Sequence, residues 1–309
     1  MSRHRRSPMS YVLVVGAMAL AFESRAASQG SRVFGEDGNL TYTRGQSVEP
    51  VFHGWMPNDD GTFDLYFSYI NRNWQEEVDV PVGPENNIQP APYGPDGGQP
   101  THFLPRVNRW VFTVRVPKDF GSKEVVWTLT SKGETHRAFG SLTPGYAIDE
   151  FMIMHEFGRS IRGRTRPTLK IEGGKQRTVK VGQPVTLTAV ATDPNPPVKN
   201  PGGCGAAFDP GEIGGDLVRC TAVGLRLAWF AYRGSPARFT LDPPMRFKVW
   251  EDQRGGSPWA PGWQPPPIPP GNKWVHRVTF KEPGTYVLRA QAHDGYLFQN
   301  EDITFTVTP

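Results

Sequence analysis

Glu77 and Asp79 are the nearest this 309-residue chain comes to a hydrolytic pair of acids. On one strand they share a face and stand about 7 Å apart. That falls inside the window of roughly 5–10 Å that separates the two carboxylates of a glycosidase. Acids alternating on a solvent-facing strand give the same pattern without chemistry. A few residues earlier, Tyr69, Asn71, Arg72, Asn73 and Trp74 gather aromatic, amide and guanidinium groups in one segment. They read as a polar-aromatic recognition surface, or as a strand end whose Asn side chains fix a turn while Trp74 packs down. Trp259 and Trp263 lie in the run GGSPWAPGWQPPPIPPGN. Prolines stiffen such a loop, and flat indoles on it would stack on sugar rings or dock a partner. The competing reading is that both indoles cover an end of a sheet.

Asp193 and Asp294 each end a strand-like segment, and Asp209, Glu212 and Asp216 sit in a loop between them. Hard oxygen ligands on loops suit Ca²⁺, so Asp193 and Asp294 are candidate calcium ligands. Separate Asx turns are the alternative. No other cofactor is indicated. The two cysteines, Cys204 and Cys220, read as one disulfide if the chain is exported. G-x-S-x-G, P-loop and H-E-x-x-H patterns are absent from the sequence, and His155-Glu156 lacks a second histidine one turn on. No Lys/Arg cluster is interleaved with aromatics, which gives nucleic-acid binding no support.

The elements that must position these residues are short. Thirty-four Gly and 31 Pro make up about a fifth of the chain, against about 12% in average usage. Long helices are excluded, and many short strands joined by turns are expected. TFDLYFSYI places Phe63, Leu65, Phe67 and Tyr69 on one side, and KEVVWTLTSKG does the same with Val125, Trp127 and Leu129. RWVFTVRVP sets Trp110, Phe112, Val114 and Val116 against Val111, Thr113 and Arg115. Residues 81–105 hold seven prolines and read as a long irregular loop outside any sheet interior. The expected architecture is all-β, two consecutive antiparallel sandwiches over 33–148 and 167–309. A linker at 149–166 joins them.

Arg3 to Arg6, the apolar run Tyr11–Phe22 and Ser24-Arg25-Ala26 follow the order of a secretory signal peptide over residues 1–26. Those residues hold four Arg and one Glu, so of the formal charge of +4 only +1 belongs to the rest. The expected location is secreted or periplasmic, with no membrane span after cleavage.

The runs VGQPVTLTAVATDPNP and FKEPGTYVLRAQAHDG…ITFTVT, with a strand-borne Trp229, resemble bacterial extracellular immunoglobulin-like domains of the polycystic-kidney-disease-repeat type. The resemblance covers about 140 residues. It implies a two-sheet sandwich with Trp229 in its core and Tyr286 at the start of a late strand. The insertions at 194–220 and 255–272 depart from the compact pattern. The first half is similar to secreted bacterial proteins without an assigned activity. The expectation for function is an exported, non-catalytic recognition or structural protein of the envelope or exterior. Its partner would be a polysaccharide or another envelope protein. A glycoside-active hydrolase using Glu77 and Asp79 is the third reading.

Overall fold

The computed structural model describes residues 32–34, 40–149, 152, 163–195, 221–252, 254–260 and 262–309. Residues 1–26, both cysteines, Asp209, Glu212, Asp216 and most of the 149–166 segment lie outside these.

The first half contributes β1 (Arg32–Phe34), β2 (Leu40–Tyr42), β3 (Val48–Pro57), β4 (Phe63–Asn71), β5 (Val78–Asp79), β6 (Asn86–Gln89), β7 (His102–Phe103), β8 (Arg106–Val116), β9 (Val125–Ser131) and β10 (Glu134–Gly140). Two three-stranded sheets, in the orders β3-β4-β8 and β10-β9-β6, enclose a core. β5 and β7 form a separate two-stranded ladder, as do β1 and β2. Period-two alternation builds this core. Leu65, Phe67 and Tyr69 from β4 meet Val125, Trp127 and Leu129 from β9, all buried. The Phe67 and Phe112 rings stack at 5.3 Å, and Phe112 meets Trp127 edge-on at 5.0 Å. Each such side chain contributes about 1.5–3 kcal/mol on burial. Asp60 holds the β3–β4 turn by accepting from the Thr62 backbone at 3.0 Å, and Gly61 supplies a φ of +81°.

Two expectations need correcting here. Phe112, Val114 and Val116 face the core, but Trp110 does not continue their face. Its φ is +55°, next to a shift in the β4–β8 register, and its ring lies against His53 and Tyr66. The proline-rich stretch is not wholly irregular either. β6 joins a sheet, on its edge, where prolines beside it cost no ladder bonds. Asn86 ties the stretch down by donating to Val80 and Pro100 carbonyls at 2.9 and 2.8 Å and accepting from Trp127 Nε1 at 3.0 Å.

The second half contributes β11 (Thr168–Ile171), β12 (Gln176–Lys180), β13 (Val185–Thr192), β14 (Arg226–Arg233), β15 (Phe239–Asp242), β16 (Lys273–Phe280), β17 (Gly284–His293) and β18 (Phe298–Thr308). The sheets run β11-β13-β16-β15 and β12-β18-β17-β14. β12 pairs with β18 in parallel, and the other pairs are antiparallel. Two facing four-stranded sheets with this connectivity make an immunoglobulin-like sandwich. Trp229 is in its core at 1% exposure, with Leu187, Phe280, Leu288 and Phe305. Tyr286, near the start of β17, donates its hydroxyl to the Glu282 carbonyl at 3.0 Å and pins the corner before that strand. β15 carries no clear signal in the sequence; its four residues are paired by β16.

β14 is buried on both faces. Leu227, Trp229 and Ala231 face the core, and Arg226, Ala228 and Tyr232 are buried on the opposite side. What covers that second face is the first sandwich and the segment following β15.

Candidate functional site: an interdomain seam and cleft

His102 sits at the end of the proline-rich stretch, paired through β7 to β5. Its neighbour Phe103 turns inward onto Tyr69, with ring centres 5.0 Å apart. The His102 ring lies between the two acids read as a hydrolytic pair, with Nδ1 2.8 Å from Asp79 and Nε2 3.0 Å from Glu77. Burial opposes charging this imidazole, but the hydrogen bond to Asp79 and the close Glu77 carboxylate outweigh it and raise its pKa. Asp79 is lowered, since its bonds to His102 and Ser235 outweigh its own desolvation. The acids are committed to one ring rather than facing each other across open space, as glycoside cleavage requires.

The 69–74 segment is divided between the interior and the surface. Tyr69 is buried and accepts from the Leu104 backbone at 2.9 Å; burial drives its hydroxyl far above the usual range. Asn71 and Asn73 are fully buried and bonded to each other at 2.7 Å. Asn71 also donates to the Phe103 carbonyl at 3.1 Å, and Asn73 clamps both backbone groups of Gln46. Arg72 is exposed and pairs with Glu49 at 3.1 Å. Trp74 lies between two guanidiniums, Arg106 at 3.6 Å and Arg254 at 4.2 Å from its ring centre. These guanidiniums converge on buried Asp252, which Lys248 also bonds at 2.8 Å. Desolvation would raise that carboxyl, but the Arg254 and Lys248 bonds hold it well below its usual range. The segment therefore forms scaffold and seam rather than one recognition face.

The Trp/Pro loop is likewise folded down. Trp259 is buried, edge-on to His293 with centres 6.4 Å apart. Trp263 is half-buried against Phe247 at 5.3 Å and beneath Arg226. Arg226 is itself buried, which lowers it to about 9.

Asp193 and Asp294 are brought to one corner. Between them stands Asn195, whose amide donates to Asp193 at 2.6 Å and to Asp294 at 3.4 Å. Asp294 is fully buried. It accepts from the Tyr296 and Leu297 backbones and pairs with Arg164 at 3.0 Å. A guanidinium thus already pairs with the Asp294 carboxylate, and among the described residues no three His, Cys, Asp or Glu are grouped for a metal.

The seam between the sandwiches is continuous. Thr101 donates its backbone N–H to the Tyr232 carbonyl at 3.1 Å, and the Gly234 N–H returns to Thr101 Oγ1 at 3.0 Å. The Tyr232 hydroxyl donates to the Gly98 carbonyl at 2.6 Å, and Arg233 grips Asp96 with two bonds of 2.8 and 2.6 Å. Arg289 lies 3.7 Å from the Tyr232 ring centre, chelates Asp302 and donates to the Val111 carbonyl at 2.6 Å. Burial, partly offset by Arg289, pushes Tyr232 up to about 12. Arg109 reaches Glu251 at 2.7 Å.

β14 is an edge strand, and two things border its outer side. Thr101 covers its end, and the Met245 sulfur accepts from the Trp229 N–H at 3.3 Å. By strand alternation Ala231 presents its N–H and C=O to the same side as Trp229. Beside this stretch lies a cleft of about 520 Å³, walled by Phe230, Phe239, Leu241, Met245, Val249 and Trp250, with Glu77 and His102 at the first-sandwich side. The sequence does not announce this site. Met245 and Trp250 lie in an aperiodic segment, and nothing local ties Thr101 to a strand more than a hundred residues on.

No protein-family model matches the chain, and no curated protein matches it. Among solved structures it is similar to the N-terminal eight Ig domains of Down Syndrome Cell Adhesion Molecule, at 8% identity and a TM-score of 0.23, over 84% of this chain and 27% of that one. Domains 4 and 5 of the S-layer protein SbsC match at 9% and 0.24, over 91% and 90%. The Yersinia pseudotuberculosis adhesin InvE matches at 12% and 0.21, over 88% and 61%. The chain spans about a quarter of the length of the first two chains matched.

Proposed function

We propose that the protein is an exported, non-catalytic recognition module that captures an extended segment of a partner protein along the free edge of β14. The observation that carries this reading is the edge itself. Thr101 already bonds the end of β14 in the manner of an incoming strand, and further along the same edge the Trp229 N–H meets a thioether sulfur, a weak acceptor. Strand addition uses such groups for affinity and the neighbouring apolar wall for side-chain selection. The seam holds both walls at fixed spacing, which lowers the entropy lost on binding. Export is supported by the basic, apolar, small order of residues 1–26. The likeness of the second sandwich to polycystic-kidney-disease-type repeats points the same way. Polysaccharide binding through Trp259 and Trp263 has less support, because Trp259 is buried and Trp263 is half-buried against Phe247.

The test is selection from a displayed library of random dodecapeptides on residues 27–309. Binders should show apolar residues at alternate positions and should lose binding to Ala231→Pro. Proline at an outward edge position is compatible with the strand, and it removes the N–H that an added strand needs. Binders that tolerate this substitution would overturn the proposal.

A further inference from the structure

The prolines of the Trp/Pro loop build a second concavity, which the capture of a strand leaves unused. It is a pocket of about 230 Å³ at the end of the second sandwich, where β14 and β16 begin. Pro266, Pro267 and Pro269 line one side, and Phe247 and Trp274 line others. The charged residues of its wall are all basic: Arg226, Arg246 and Lys273. Arg246 and Lys273 are exposed, and Lys273 also pairs with Glu172 at 3.0 Å. His276 lines the pocket as well; it is buried to 9% exposure, and its Nδ1 has no hydrogen-bond partner.

These features define a ligand chemistry. Proline and indole faces accept a flat ring, since ring faces and C–H groups pack at low cost. Two exposed cations, with no acid in the wall, favour a carboxylate. The unpaired Nδ1 offers a polar contact inside. The volume lies below the range of about 300–1,000 Å³ typical of drug-sized ligands, so one small ring system fits and a polymer does not. We propose that this pocket binds a small aromatic carboxylate, its ring against Trp274 and the prolines and its carboxylate toward Arg246 and Lys273. The same group at the aromatic C-terminus of a peptide has the same chemistry.

Calorimetric titration with phenylacetate and indole-3-acetate tests this, alongside phenylacetamide, hexanoate, glucuronate and a tetrapeptide ending in Phe with a free carboxylate. The aromatic acids should bind saturably at about 1 mM or tighter. Phenylacetamide, hexanoate and glucuronate should each be weaker by about tenfold or more. Arg246→Ala and Lys273→Ala should each weaken the acids about fivefold while leaving the melting temperature unchanged, as both side chains are exposed. If the peptide binds more tightly than the free acids, the physiological source is a protein terminus. Absence of saturable binding by any aromatic acid would overturn the proposal, as would equal binding of the neutral or non-aromatic controls, or acid binding unaltered by both variants. Segment Pro244–Phe247 lines both this pocket and the cleft, but Lys273 and Trp274 line only the pocket. Ala231→Pro should leave acid binding intact, so failure here and failure of strand capture give different results.

Discussion

The backbone N–H of Thr101 in the first sandwich and the carbonyl of Tyr232 in the second are joined by a 3.1 Å hydrogen bond. One domain thus supplies part of the missing neighbour of the other domain's edge strand. This bond and those beside it tie the two sandwiches together.

Cooperative unfolding is the first consequence. Arg289 is buried with its guanidinium shared between Asp302 and the Val111 carbonyl. Arg289→Ala removes the buried guanidinium from the part-exposed Asp302 carboxylate and the Val111 carbonyl and should cost about 1–3 kcal/mol. Calorimetry should show a single transition for the native protein and two for the variant. A native protein already melting in two separated steps would contradict the seam's role.

Histidine titration gives a signed pH dependence. His102 binds its proton more tightly folded than unfolded, because Asp79 and Glu77 outweigh its burial. Its contribution is complete below the unfolded value of 6.5 and drains away as pH rises through the raised folded value. His53, lowered to about 4 by burial and then by Arg109, acts with the opposite sign as pH falls below 6.5. The difference between the native protein and His102→Gln isolates the first effect. It should be larger at about pH 6 than at about pH 9, measured by urea denaturation.

Calcium is expected to leave the melting temperature unchanged against chelator, since Arg164 already neutralises Asp294. Arg164→Ala should cost about 3–5 kcal/mol by stranding that buried carboxylate. A calcium-dependent rise in the native protein would show that the ion displaces the guanidinium.

Trp259→Ala should lower stability by about 3–5 kcal/mol, as for other buried aromatic truncations, because the indole is buried. A presented ligand platform would instead leave the melting temperature unchanged. Tyr286→Phe, which removes only the corner hydroxyl bond to Glu282, should cost about 1 kcal/mol.

Much of the fold was legible in the sequence. Leu65, Phe67 and Tyr69, or Val125, Trp127 and Leu129, announce their face because burial on one side of a strand imposes a period of two. Trp229 and Tyr286 fall where the resemblance implied. The site was less legible, for reasons of range and polarity. Asn71, Asn73 and His102 are polar residues whose partners lie across turns or in another element, so their types suggest a surface while their bonds place them inside. Arg226 and Tyr232 look like the solvent face of β14 until a second domain covers them. Trp110 leaves its face through a positive φ that no alternation rule foresees.

The most direct measurement is amide hydrogen exchange across β14 with a library-selected peptide bound. New protection is expected at Trp229 and Ala231, with that at Trp229 lost in Ala231→Pro and the inner-facing amides of β14 unchanged. Protection confined to other strands, or none on β14, would contradict it.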